Sequence, residues 1–182
     1  MKLFGLVLAG GKSTRMGFDK NTMDFHGEPQ VQWLYELLQK FCDDAFVSGN
    51  SETIPGDFKF IRDRYETGGP MNGILSALHN HGSVAWLVLP IDMPNLDETA
   101  VSFMLQNRET EKQATCFLNE DRKTIEPLPV IIEPSAYTLM FDWFNKKNSS
   151  LNDFLKNGDV KKVIVKEIRW LKNVNTPDQL LP

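Results

Sequence analysis

Leu3 to Leu8 is a short apolar run broken only by Gly5, and it gives way at once to Ala9, Gly10 and Gly11. A run this short cannot make an isolated surface helix, so it predicts a buried strand. Lys12, Arg15 and Lys20 then place three cations within nine residues. Glycines lack Cβ atoms, so the backbone at Gly10 and Gly11 can approach a ligand closely and present bare N–H groups to it. Cations around such a turn suit a polyphosphate, whose oxygens need both hydrogen-bond donors and positive charge.

Two common phosphate motifs are excluded by register. A G-x-x-x-x-G-K-[ST] loop ending at Gly11-Lys12-Ser13 requires glycine at position 6, where this chain has Leu6. The G-x-G-x-x-G fingerprint fails because the two glycines are adjacent and Lys12, Ser13, Thr14 and Arg15 follow them.

At 182 residues the chain is long enough for one domain with a sizeable core. Its net charge of -4 and the lack of a long basic run argue against nucleic acid as a partner. The cations at 12–20 therefore stand against an acidic background, which selects a small anion without collecting polyanions. Cys42 and Cys116 have no C-x-x-C partner and read as reduced thiols. The apolar stretch after Lys2 is at the short limit for a signal peptide and lacks an A-x-A site, and no segment approaches a membrane span. A cytoplasmic protein is expected, with no membrane contact.

Along the chain, short β-type runs alternate with helical ones, which predicts an α/β class: a single three-layer α/β/α domain over 1–182 with a mostly parallel sheet. Gln30 to Phe41 reads as an amphipathic helix, 45–48 as a second strand ended by Gly49-Asn50, and 58–61 as a third followed by Asp63. Ligands bind at the carboxyl ends of parallel strands, so Asn50 and Asp63 are candidates for the functional edge; both also suit ordinary turns. Pro70 opens a helix running through Leu78, with His79 and His81 closing it. His26, in the preceding turn, reads as solvated and without chemistry. The run at 84–89 predicts a central strand that ends in Pro90-Ile91-Asp92-Met93-Pro94. A carboxylate at that mouth can hold Mg²⁺ against nucleotide phosphates, since Mg²⁺ needs only one or two carboxylates besides phosphate and water. Asn95 and Asp97 are better placed than Asp92 to cap the helix from Glu98 to about Arg108. Strands at 115–118 and 127–132 flank a charged turn. Helices at 136–144 and 149–155, a strand at 163–168, and a terminal helix capped by Thr176 with Pro177 at its first position complete the reading.

The stretch LAGGKSTRMGFDK, Leu8 to Lys20, resembles the signature of the molybdenum cofactor guanylyltransferases, the molybdopterin-guanine dinucleotide biosynthesis protein A family within the MobA-like NTP transferases. Ser13, Thr14, Arg15, Met16, Gly17, Asp19 and Lys20 favour this branch over sugar-1-phosphate and cytidylyl relatives. The later segments Gly27-x-Pro29, Gly69-Pro70-Met71-x-Gly73-Ile74, Asp92-x-Pro94, Ser149-Ser150-Leu151 and Asn173-x-Asn175-Thr176-Pro177 resemble family segments as well, with Met71 and Asn72 read as ordinary variation.

The resemblance implies a Rossmann-like nucleotidyltransferase fold, with a nucleotide-binding half at about 1–100 and an acceptor-binding half at about 101–182. It implies that Leu8, Ala9, Gly10, Gly11 and Lys20 hold the nucleotide and that Asn50 and Asp63 contact its guanosine. Asp92 is implied as the metal ligand for Mg²⁺, with Arg15, Lys20 and Asp92 catalytic and Asn175 a candidate second ligand. The implied reaction joins GMP from GTP to molybdenum-bearing molybdopterin. GTP and molybdopterin are thus the expected small-molecule partners, with transient contact to other proteins of the molybdenum cofactor pathway. Glu126-Pro127-Leu128 departs from the family's His-Pro-Leu, which leaves another base or acceptor open, as in cytidylyl or sugar-1-phosphate enzymes. A nucleotide-binding protein without turnover would be marked by loss of Arg15, Lys20 or Asp92, and all three are present.

Overall fold

In the computed structural model, residues 1–9, 23–49, 54, 56–65, 69–121 and 123–174 are described. Seven strands form one sheet: β1 (Leu3–Leu8), β2 (Asp44–Ser48), β3 (Phe60–Ile61), β4 (Ala85–Pro90), β5 (Ala114–Asn119), β6 (Thr124–Ile132) and β7 (Val160–Ile164). Their order is β3-β2-β1-β4-β6-β5-β7. Strand β6 runs antiparallel to both of its neighbours, and every other pairing is parallel. The helices are α1 (Gln30–Phe41), α2 (Pro70–Asn80), α3 (Glu98–Gln106), α4 (Ala136–Asn145) and α5 (Leu151–Asn157).

The period-2 alternation of the strands sorts the core into two layers. Leu3 and Val7 of β1 and Ala85, Leu87 and Leu89 of β4 face α1 and α3. Leu6 and Leu8, with Trp86 and Val88, face α2, α4 and α5. β1 and β4 carry apolar residues on both sides because both sides are covered, which is why their runs show no polar alternation in the sequence. Gly5 has a packing role: a Cβ there would lie 2.7 Å from Leu38 Cβ, so α1 seats directly on the strand at that point.

The chain moves outward from β1 to β2 and β3, then returns to the other side of β1 as β4. This reversal is the switch point of a doubly wound sheet, and it opens a crevice at the carboxyl ends of β1 and β4.

Several boundaries differ from the sequence reading: β6 begins at Thr124 rather than 127, and α5 is Leu151–Asn157 rather than 149–155. The last strand is Val160–Ile164 rather than 163–168. Its partner β5 ends at Asn119, pairing reaches only Leu118 with Ile164, and a final bond from Val165 N–H to the Leu118 carbonyl closes the ladder. Ile168 belongs instead to a 3-10 turn (Ile168–Leu171). Strand β3 is two residues rather than four, since pairing with β2 holds only Val47–Phe60 and Ser48–Ile61. The expected terminal helix lies outside the described residues.

Candidate active site

Among the anticipated site residues, Leu8, Ala9, Asp63 and Asp92 are described; Gly10, Gly11, Arg15, Lys20, Asn50 and Asn175 lie outside the described residues. The four described ones gather at the carboxyl edge of the central strands. Ile91 N–H donates to the Leu8 carbonyl at 3.3 Å, and Ala9 N–H donates to the Ser48 carbonyl at 3.1 Å. The turn that carries Asp92 therefore begins beside the last residue of β1, where the glycine-rich segment starts. Asp92 follows directly from a fully buried strand and is itself half-buried.

Asp63 is fixed to the neighbouring strand end. Ser48, 1% exposed, donates its hydroxyl to Asp63 Oδ1 at 2.7 Å. The segment that follows is tied down by α2: Ser76 Oγ accepts from Arg64 N–H at 3.0 Å, and Asn72 Oδ1 accepts from Tyr65 N–H at 3.0 Å. Asn72 thus tethers the residues that follow Asp63. Its signal was present in the sequence as a polar i, i+4 pair, Asn72 and Ser76, on a helix otherwise apolar from Gly73 to Leu78. Helix α2 also presses close at its first turn, since a Cβ on Gly73 would meet Ser48 Oγ at 2.5 Å and Leu8 Cδ2 at 2.6 Å. Gly69, with φ at +77°, turns the chain into this helix. Beside it, burial raises the pKa of the Tyr65 phenol, with a smaller push from Tyr137.

The C-terminal segment crosses over the turn after β4. Asn95 Nδ2 donates to the Arg169 carbonyl at 3.1 Å, the Arg169 guanidinium meets Asp97 at 3.2 Å, and Val174 N–H donates to the Asp92 carbonyl at 2.8 Å. Asp97 caps α3 by accepting from Ala100 N–H, as the sequence reading anticipated.

His26 is exposed, in keeping with its reading as solvated, and it also makes two contacts. Its ring stacks on Trp33 with centroids 4.1 Å apart, and its Nε2 lies 2.9 Å from the Pro94 carbonyl. At the other side of the crevice, Asn119 Nδ2 donates to Glu126 Oε1 at 3.4 Å. Because β6 is antiparallel, Glu126 near its start shares the carboxyl edge, and a register shift at Cys116/Phe117 leaves residues 127–129 out of the ladder.

Asp92 suits an Mg²⁺ ion carried by nucleotide phosphates rather than a resident metal cage. Among the described residues no group of three His, Cys, Asp or Glu side chains could hold a metal. Mg²⁺ usually takes one or two carboxylates, with phosphates and water completing its shell.

A mostly parallel, doubly wound sheet with one reversed strand is the α/β nucleotidyltransferase fold. The chain belongs to the family of the MobA-like NTP transferase domain, which matches residues 5–162. It is 32% identical over 180 residues to the molybdenum cofactor biosynthesis bifunctional protein of Synechocystis sp., covering 97% of this chain and 52% of that protein, so it spans about half the length of that relative. It is 28% identical over 181 residues to the molybdenum cofactor guanylyltransferase of Pseudomonas fluorescens, covering 96% of this chain and 90% of that one. Its fold matches the crystal structure of molybdopterin-guanine dinucleotide biosynthesis protein A from Archaeoglobus fulgidus with a TM-score of 0.78 and 22% identity, covering 97% of this chain and 94% of that chain. Among the described residues no helix is long and apolar enough to cross a membrane.

Proposed function

We propose that the protein transfers GMP from GTP to the terminal phosphate of molybdenum-bearing molybdopterin. The observation that carries this reading is the contact between the β4 and β1 ends, Ile91 N–H to the Leu8 carbonyl, which joins the Asp92 turn to the start of the glycine-rich segment. The guanylyltransferase named among the relatives supports guanine as the base.

An oxygen of the acceptor phosphate attacks the α-phosphorus. The bond from that phosphorus to the bridging oxygen of the β-phosphate breaks, and pyrophosphate leaves with the electron pair. The nucleophile is already an anion, so no general base is required. The obstacle is repulsion: two unit charges about 4 Å apart at an effective dielectric of about 20 interact by about 4 kcal/mol, roughly three powers of ten in rate. Arg15 and Lys20 offset charge on the β- and γ-phosphates and on the departing pyrophosphate. Gly10 and Gly11 admit the triphosphate close to the backbone, beside Leu8 and Ala9. Asn50 and Asp63 contact the nucleoside, Asp63 being oriented by Ser48. Asp92 is the residue that would hold Mg²⁺, and Asn175 is a candidate second ligand; such an ion would supply charge neutralisation on the nucleotide phosphates.

One observation favours a different acceptor. The Glu126 carboxylate at the acceptor edge repels a phosphate and suits a group that donates hydrogen bonds. Incubation with GTP and molybdopterin, followed by mass analysis of the product, tests both. A guanine dinucleotide of molybdopterin is the expected product, and unchanged molybdopterin contradicts the assignment.

A further inference from the structure

The turn carrying Asp92 is gripped by two aromatic rings that no step of the proposed reaction uses. His26 and Trp33 stack 4.1 Å apart with their planes within 18°. Each ring reaches a backbone carbonyl of the same turn: His26 Nε2 lies 2.9 Å from Pro94 O, and Trp33 Nε1 lies 3.4 Å from Leu96 O. A carbonyl can only accept, so the His26 ring carries its proton on Nε2 and donates it. The two contacts span 68 and 63 residues of sequence and are not local accidents of one loop.

The base of this grip is stiff. Asp24 Oδ1 accepts from both His26 N–H at 3.1 Å and Gly27 N–H at 2.6 Å, Gly27 turns back with φ at +84°, and Gln30 N–H donates to the Met23 carbonyl at 2.8 Å. The turn therefore closes on itself at the start of α1 and presents His26 at its tip. Trp33 stands on the first turn of that helix, and His26 on the turn that leads into it.

We propose that His26 and Trp33 are positioning residues that set the backbone of the Asp92 turn. The inference rests on the reading of Asp92 as the metal-holding carboxylate. A carboxylate that meets a nucleotide-borne metal has to be held to a fraction of an ångström, and groups that orient such a ligand from behind tune metal affinity without touching the metal. Two peptide carbonyls of the turn are thus held, one by a ring of α1 and one by a ring of the turn that leads into it. His26 does this without entering the reaction.

The test compares four full-length variants. His26→Phe keeps the ring stack and removes the donor, His26→Gln restores an N–H donor, Trp33→Phe removes the second donor, and Asp92→Ala removes the carboxylate. Two quantities are read: the Mn²⁺ concentration that half-saturates the GTP complex by electron paramagnetic resonance, and the backbone amide signals of residues 91–97. Thermal melting confirms that each variant is folded. Loss of one neutral hydrogen bond predicts a rise of about three- to tenfold in the half-saturating Mn²⁺ concentration for His26→Phe. His26→Gln should recover most of that affinity, and the amide changes should concentrate in the turn. If His26→Phe matches the parent in both readouts while Asp92→Ala loses the metal, the positioning role is wrong and the Asp92 reading stands. If Asp92→Ala binds Mn²⁺ as the parent does, the Asp92 reading fails and the positioning role falls with it.

Discussion

Val174 N–H donates to the Asp92 carbonyl at 2.8 Å, tying the last described residue of the chain to the turn at the mouth of the central strand. The two lie 82 positions apart in the sequence. This bond makes the candidate metal site a joint product of both halves of the chain. In the sequence, Asp92 stands near the middle of the chain and Asn175 near its end.

Asp92→Ala should reduce turnover by about a hundredfold or more, in line with removing a group that stabilises charge in the transition state. GTP binding without metal should change little, because that binding draws on the glycine-rich segment. Lys20→Ala should instead weaken GTP binding and slow turnover together. Steady-state kinetics beside metal-free GTP titration separates the two patterns, and an unchanged rate for Asp92→Ala would remove the metal assignment.

Gly73→Ala places a Cβ against Ser48 Oγ and Leu8 Cδ2 at distances no ordinary contact allows. Overpacking of this kind costs about 1–3 kcal/mol. The displaced hydroxyl is the one that holds Asp63, so the KM for GTP should rise along with the loss of stability. Gly5→Ala meets Leu38 on the opposite layer and should cost a similar amount of stability with KM unchanged. Urea denaturation and nucleotide kinetics on the two variants distinguish a site glycine from a core one.

Arg108 donates to both carboxylate oxygens of Glu133, at 2.6 and 2.8 Å, and Glu133 is fully buried. Removing one partner of a buried pair strands the other charge, so Glu133→Gln should destabilise by about 3 kcal/mol. Glu133 follows β6 at the edge opposite the site, and kcat of the folded fraction should be unaffected. Chemical denaturation measures the first effect and kinetics at low temperature the second.

Burial pushes the thiols of Cys42 and Cys116 up to about 12, with the Asp43 carboxylate adding to the effect at Cys42. An unfolded cysteine titrates near 8.5, so above that pH the unfolded chain loses these protons while the folded chain keeps them. Both thiols therefore contribute stability that is complete below about pH 8.5 and falls as pH rises toward 12. Urea midpoints for the parent and a Cys42→Ala/Cys116→Ala variant should diverge less at pH 10 than at pH 7.

The central strands, the first three helices and the strand-end placement of Asp63 and Asp92 were legible because each rests on a local pattern. The run at 84–89 is apolar on both faces, α1 repeats its apolar residues at helical spacing, and Asp97 sits where an N-cap must. What the sequence hid depended on pairing between distant segments. The end of β7 is set by where β5 stops, which no window around residue 164 reveals. His26 read as a solvated turn residue because its carbonyl partner, Pro94, lies 68 positions away in the sequence. The reversed direction of β6, by contrast, follows from its local hairpin with β5, and it brings Glu126 to the functional edge.

Pyrophosphate release with purified protein and Mg²⁺ tests the central claim most directly, with GTP, CTP, ATP and UTP each supplied beside molybdopterin and beside a panel of sugar phosphates. The account predicts release with GTP and molybdopterin alone, abolished in Asp92→Ala. Release with a sugar phosphate or with CTP in place of that pair would contradict the guanylyl transfer proposed here and would direct attention to Glu126 as the residue that selects the acceptor.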